Sequence, residues 1–171
     1  FAAELEPGDG VVAVYPAYQQ LYEIPASLGA RVTKWPLRRE NGWAPDIDEL
    51  KRLVDSHTRL IILNFPHNPT GFAPDPGFIR EVCRFAAEQG IAVHSDEVYR
   101  GLRLDGGSPS PSALDFLPSA TVAGSASKAF GLSGARIGWI VAPPEVVRRC
   151  LEHRDYVSNC PPVWSEVVAQ V

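Results

Sequence analysis

The stretch 59-RLIILNFPHNPTG-71 decides how the chain is read. Leu60 to Leu63 form an unbroken apolar run with no polar face, so the segment 59–64 reads as a buried strand. A turn rich in Pro and Asn ends it. The flanks differ in period. Upstream, 46-DIDELKRLVDS-56 puts Ile47, Leu50, Leu53 and Val54 on one face and opens with an acidic turn, which predicts a surface helix. Downstream, residues 75–89 carry Phe78, Ile79, Val82, Phe85 and Ala86 at helical spacing, with Gly90 as the stop. The next strand is 91-IAVHS-95.

The alternation continues outward. Val11–Tyr15, Arg31–Trp35, 120-ATVAGS-125 and 137-IGWIVA-142 read as strands. A helix over 18–28 contains Pro25, which should kink it. Pro143 and Pro144 open a further helix with Val146, Val147 and Leu151 inward, and another begins after Pro161. Residues 104–113, with Gly106, Gly107 and three serines, predict a flexible loop. Strands alternating with helices predict an α/β domain, three layers (α/β/α) around a mostly parallel sheet.

Composition narrows the function classes. The 171 residues suffice for one domain with a core; 45% are hydrophobic, 21% charged, and the net charge is −4. There is no basic excess to suggest a nucleic-acid surface, and no apolar run approaches a membrane span. Three scattered cysteines (Cys83, Cys150, Cys160) read as reduced thiols of a cytoplasmic protein. The four histidines show no metal-ligand spacing, and His67 and His94 read as a loop residue and a satisfied core histidine. No Gly-x-Gly-x-x-Gly or Walker loop follows a strand, which argues against a nucleotide-binding domain.

The unusual residues fall after strand ends, where an open parallel sheet binds its ligands. After 59–64 comes Asn68; after 91–95 come Asp96, Glu97 and Tyr99; after 120–124 come Ser125, Ser127 and Lys128. From Phe116 to Pro144 the only charged residues are Lys128 and Arg136. Two unpaired buried cations would cost on the order of several kcal/mol, so an anion should lie between them or a cleft should receive one. An amine, a carboxylate, an amide, a phenol and an arginine together suit pyridoxal 5′-phosphate, which offers an aldehyde, a ring nitrogen, a phenolic oxygen and a phosphate.

Three motifs carry a resemblance. Ser125 to Gly138 (SASKAFGLSGARIG) resembles the Schiff-base stretch of pyridoxal-phosphate aminotransferases of class I/II, relatives of aspartate aminotransferase; 68-NPTG-71 resembles their N-P-x-G turn, and 95-SDEVY-99 their D-E-x-Y stretch. The resemblance runs from 7-PGD-9 to about Asp155. It implies the fold-type-I large domain, with Lys128 as the internal aldimine and proton shuttle. It implies Asp96 on the pyridine nitrogen, Asn68 and Tyr99 on the phenolic oxygen, Ser125 and Arg136 on the phosphate, and Tyr18 stacked on the cofactor face. The activity implied is transfer of an amino group between an amino acid and a 2-oxo acid, in a homodimer.

Plainer readings stand beside these. A lone Lys among Ser and Gly is usually a solvated loop residue, Asp96 could cap a helix, and Glu97 could be a cap or a surface charge. Asn68 could be only a turn former, Ser127 could touch phosphate or only fit a tight turn, and a tyrosine at position 18 could simply pack. The rival functions are a pyridoxal-phosphate lyase, cyclase or decarboxylase, or a non-catalytic ligand-sensing module. Members of this family are longer than the chain, so residues 1–171 read as one partial domain, without the N-terminal phosphate loop and the C-terminal small domain. By itself the chain is then expected to bind pyridoxal phosphate weakly and to be inactive.

Overall fold

The computed structural model describes residues 1–102, 107–158 and 160–170. In chain order the elements are β1 (Gly10–Tyr15), α1 (Gln20–Ser27), β2 (Arg31–Pro36), α2 (Ile47–Leu53), β3 (Thr58–Asn64), α3 (Pro76–Gln89), β4 (Ala92–Asp96), β5 (Thr121–Ser125), β6 (Gly138–Val141), α4 (Pro144–Arg154) and α5 (Val163–Ala169). The strands form one six-stranded sheet in the order β2-β1-β3-β4-β5-β6. All neighbours are parallel except β5 and β6, which are antiparallel.

Strand periodicity divides the core into two layers. On one face Val12, Val14, Ile61 and Leu63 pack with Leu50 of α2 and with Ile79, Val82, Cys83 and Ala86 of α3. On the other, Val11, Ala13, Leu60 and Ile62 pack with Leu21 of α1 and with Leu5. Successive side chains point to opposite faces, and both faces are covered, so the central strands are apolar throughout. This is the three-layer α/β/α arrangement expected from the alternation of periods.

Local chemistry sets the element ends. Asp75 caps α3 by accepting the Phe78 N–H at 3.1 Å, Pro76 occupies its first turn, and Gly90 ends it in the left-handed conformation at φ 67°. Asp46 caps α2 by accepting the Asp48 N–H at 2.8 Å. Pro25 lies inside α1 without dividing it, and the helix ends two residues later at Ser27.

Two features place the site. The chain leaves β1 for β2 on one side and crosses to β3 on the other, which opens a crevice beyond the carboxyl ends of β1 and β3. Because β6 runs antiparallel, with Gly138 opposite Ser125, the residues just before β6 arrive at that same end of the sheet. β6 is an edge strand whose four residues are exposed. Its Trp139 indole lies so close over Gly124 that a Cβ there would meet the ring at 2.4 Å.

Candidate active site

β1, β3, β4 and β5 each deliver one group or more to a single cavity of about 280 Å³. Tyr18, Asn68, Asp96, Tyr99, Ser125, Lys128 and Arg136 all line it. Every residue singled out for the cofactor in the sequence is therefore in one place, together with Asn64, Val98, Ser127 and Ser133. A larger cavity of about 680 Å³ lies between β6 and the α4–α5 region; it shares Arg136 but holds none of the other six.

Lys128 and Arg136 are exposed in the open cavity, so the burial cost of two unpaired cations does not arise. Arg136 adopts the left-handed conformation at φ 53°, and its Nη1 donates to the Ser133 carbonyl at 2.9 Å. That contact uses one of five guanidinium donors. The Ser125 hydroxyl donates to the Ile137 carbonyl at 3.2 Å and accepts the Ser127 N–H at 3.0 Å. Its hydroxyl proton is thus engaged with Ile137.

Asp96 is buried, 8% exposed. No helix follows it, and its carboxylate caps a turn instead, accepting the Val98 N–H at 3.2 Å. Burial raises its pKa from the usual carboxylate range; the Val98 bond opposes this and the neighbouring Glu97 charge adds to it. Among the described residues Asp96 has no cationic partner. A buried carboxylate in that state is stabilised by a cation entering the cavity.

The structure adds three residues whose roles differ from the sequence reading or escaped it. Glu97 is neither a cap nor a surface charge but is buried, 6% exposed. Its Oε1 accepts the Ala113 N–H at 2.8 Å and the Ser112 hydroxyl at 3.1 Å, while Arg100 stands 3.8 Å from Oε2. Burial raises its pKa too, against the Ala113, Ser112 and Ser95 bonds and the Arg100 charge. These contacts tie Ser112 and Ala113, and Arg100 Nε donates to the Ser110 carbonyl at 2.9 Å, so the end of the loop expected to be flexible is fastened and Ser110 and Ser112 are buried; its residues 104–106 lie outside the described residues. His67 is the loop residue the sequence predicts, but a buried one, and its Nδ1 shares a hydrogen bond with Thr70 Oγ1 at 2.7 Å. Asn64, missed in the sequence, is almost fully buried at the end of β3, with its side-chain amide bonded to both sides. Its only signal was a polar residue closing an apolar strand.

With the geometry in place, the chain can be set beside known proteins. The pattern of the family Aminotransferase class I and II matches residues 1–170. Capreomycidine synthase of Streptomyces vinaceus is 39% identical over 150 residues, covering 88% of this chain and 38% of that protein. Aspartate aminotransferase of Pyrococcus horikoshii is 34% identical over 158 residues, covering 92% of this chain and 40% of that protein. A solved structure of a PLP-dependent aminotransferase from Streptococcus suis 89-1591 superposes with a TM-score of 0.91 at 40% identity, over 98% of this chain and 44% of that one. The chain thus spans less than half the length of these relatives.

Proposed function

This chain belongs to the class I and II aminotransferases, and from that premise we propose that it forms the cofactor cradle of a pyridoxal-phosphate enzyme moving an amino group between an amino acid and a 2-oxo acid. One observation carries the reading: the cavity gathers an amine, a buried carboxylate with no cationic partner among the described residues, two amides, two phenols, three serines and an arginine. This donor set fits the cofactor group by group.

Pyridoxal phosphate, when bound, supplies an aldehyde carbon for amines and a protonated ring that draws electrons from a substrate's α-carbon. The residues of the chain do the rest. Asp96 would hold the proton on the ring nitrogen, and the raised pKa of its buried carboxyl supports a need for such a cation. Asn68 and Tyr99 would donate hydrogen bonds to the phenolic oxygen. Arg136 would grip the phosphate with its free donors, helped by Ser125 and Ser127. Lys128 Nζ would hold the aldehyde carbon in place of its oxygen, which leaves as water, and would carry the proton from the substrate's α-carbon. Tyr18, 47% exposed at the crevice, would cover the ring face. The proposal includes a cytoplasmic homodimer. The exposed Trp139, Ile140 and Val141 of edge strand β6 support burial against further protein.

A second reading is kept because the relative at 39% identity is named a synthase rather than a transaminase. On that reading the same cradle breaks a different bond at the α-carbon, as a lyase, cyclase or decarboxylase would. The test is to load the full-length protein with pyridoxal phosphate and supply amino acids with and without a 2-oxo acid. Amino transfer requires conversion of the 2-oxo acid to its amino acid in step with loss of the donor's amine. Consumption of the donor without amination of the 2-oxo acid would favour the second reading, and no change in the cofactor's visible band with any amine would overturn both.

A further inference from the structure

Asn64 closes β3 and pairs in register with Asp96 of β4. Its side chain is 1% exposed, yet it is fully polar. The amide is engaged in two directions. Nδ2–H donates to the Asp96 carbonyl oxygen at 3.2 Å, and Oδ1 accepts the Asn68 backbone N–H at 3.2 Å. Only an amide side chain of this length offers a donor and an acceptor on one rigid plane.

We propose that Asn64 is a positioning residue for the cofactor site: it ties the turn carrying Asn68 to the strand end carrying Asp96. The inference rests on the pyridoxal-phosphate reading above. It makes the amide that meets the phenolic oxygen and the carboxylate that meets the ring nitrogen keep one separation, whatever the loops around them do.

The rest of the turn supports this division of labour. Gly71 N–H donates to the His67 carbonyl at 2.8 Å, and His67 N–H donates to the Phe72 carbonyl at 2.8 Å. His67 Nδ1 meets Thr70 Oγ1 at 2.7 Å, and Thr70 Oγ1 also accepts the Phe72 N–H at 3.3 Å. All of these bonds lie within 67–72. They set the shape of the turn and leave its offset from β4 free. Phe65 anchors the start of the turn in the core. Asn64 supplies the polar tie from Asn68 across to β4. An aspartate at 64 would keep the acceptor for Asn68, lose the donor to Asp96, and set a second anion beside a carboxylate that already lacks a cation.

A merely structural role would cost stability without addressing Asn68, and a double-mutant cycle separates the two. In the full-length protein, Asn64→Leu, Asn68→Ala and the double variant are titrated with pyridoxal phosphate. Asn64→Leu is expected to weaken binding about tenfold, the scale of one buried hydrogen bond. The double variant should bind no more weakly than the poorer single variant. A second readout needs no cofactor: hydrogen exchange of the unloaded protein should show the Asn68 amide losing protection in Asn64→Leu while Ile62 in mid-β3 keeps its own. Asn64→Asp, nearly unchanged in shape, covers a misfolded Leu variant; it should keep Asn68 protected and still bind the cofactor more weakly. Additive losses in the cycle, unchanged protection of Asn68 in Asn64→Leu, or wild-type affinity in Asn64→Asp would overturn the inference. Wild-type protein that takes up no pyridoxal phosphate overturns the functional reading instead, and the exchange of Asn68 then decides the role of Asn64 alone.

Discussion

Lys128 Nζ stands 6.0 Å from the centroid of the Tyr99 ring, across the cavity that both line. That separation is at the outer limit of a cation–π contact. Among the described residues Lys128 has no carboxylate partner, so its amine is not held in an ion pair. The other two lysines are committed: Lys34 lies 4.0 Å over the Tyr15 ring, and Lys51 pairs with Asp48 and Glu81.

This difference predicts where the cofactor attaches. Borohydride reduction of the loaded protein should place the label on Lys128, and Lys128→Ala should lose the label and nearly all turnover. Peptide mapping that found the label on Lys34 or Lys51 would sink the assignment.

Much of this was legible in the sequence for physical reasons. Strands buried on both faces are apolar without interruption, and α3 carries its stop and its apolar face in its own residues, so element types and order emerge from period alone. Asn68, Asp96, Tyr99, Ser125 and Lys128 were legible because they close or follow strand ends, which a parallel sheet gathers; Arg136 stood out as the one other charge near Lys128, and Tyr18 was implied by the family resemblance alone. Glu97 and Asn64 were not, because both depend on partners distant in sequence. Glu97 accepts from Ser112 and Ala113, and Asn64 donates to the Asp96 carbonyl. A charge beside a turn looks exposed until the segment that covers it is known. The antiparallel direction of β6 was hidden likewise, since direction follows from the connection and not from the strand's composition.

Gly10 is predicted to be irreplaceable for steric reasons. A Cβ there would meet the His57 carbonyl oxygen at 2.8 Å and Thr58 Cα at 2.9 Å, both backbone atoms of the segment entering β3. Gly10→Ala must push two paired strands apart, at a cost of roughly 1–3 kcal/mol by the usual scale of overpacking. Gly134→Ala is the control, since a Cβ there meets nothing within 4 Å. Denaturant unfolding of both variants measures the difference; equal stabilities would mean that β1 and β3 can part without cost.

The cysteines should react in order of exposure. Cys83 of α3 is fully buried against the sheet, and burial, helped by the Glu97 charge, pushes its pKa up to about 11. On the order of one molecule in a thousand would then carry the thiolate at pH 8. Cys160 is exposed and Cys150 half-buried. A thiol reagent at pH 8 should label Cys160 first and Cys83 only on unfolding; fast labelling of Cys83 in the native protein would contradict the packing of α3 on the sheet.

Asp96 should make the unloaded protein less stable as pH rises, and loading should reverse this. Burial raises the carboxyl pKa of Asp96 in the fold, with the Glu97 charge adding to it, and Glu97 is raised by burial in its turn. A group with a raised folded pKa binds its proton more tightly folded than unfolded. Its contribution to stability is therefore complete below the ordinary carboxylate pKa and is lost as pH rises through the raised folded value. Asp96→Asn removes this loss while keeping the shape. The unloaded variant should thus match or exceed wild-type stability at neutral pH, and its stability should fall less with pH from the carboxylate range upward. Glu97 leaves a residual slope in both proteins. On the proposed role, pyridoxal phosphate would bring a protonated ring nitrogen to the wild-type carboxylate, which would favour its charged form and should restore stability at neutral pH beyond the ordinary gain from ligand binding. The variant cannot hold that proton, so its gain on loading should be smaller and its turnover lower by orders of magnitude. Thermal unfolding against pH, with and without the cofactor, reads all of this. A variant less stable than wild type when unloaded at neutral pH, with an equal gain on loading, would show that Asp96 serves the turn at Val98 and not the ring.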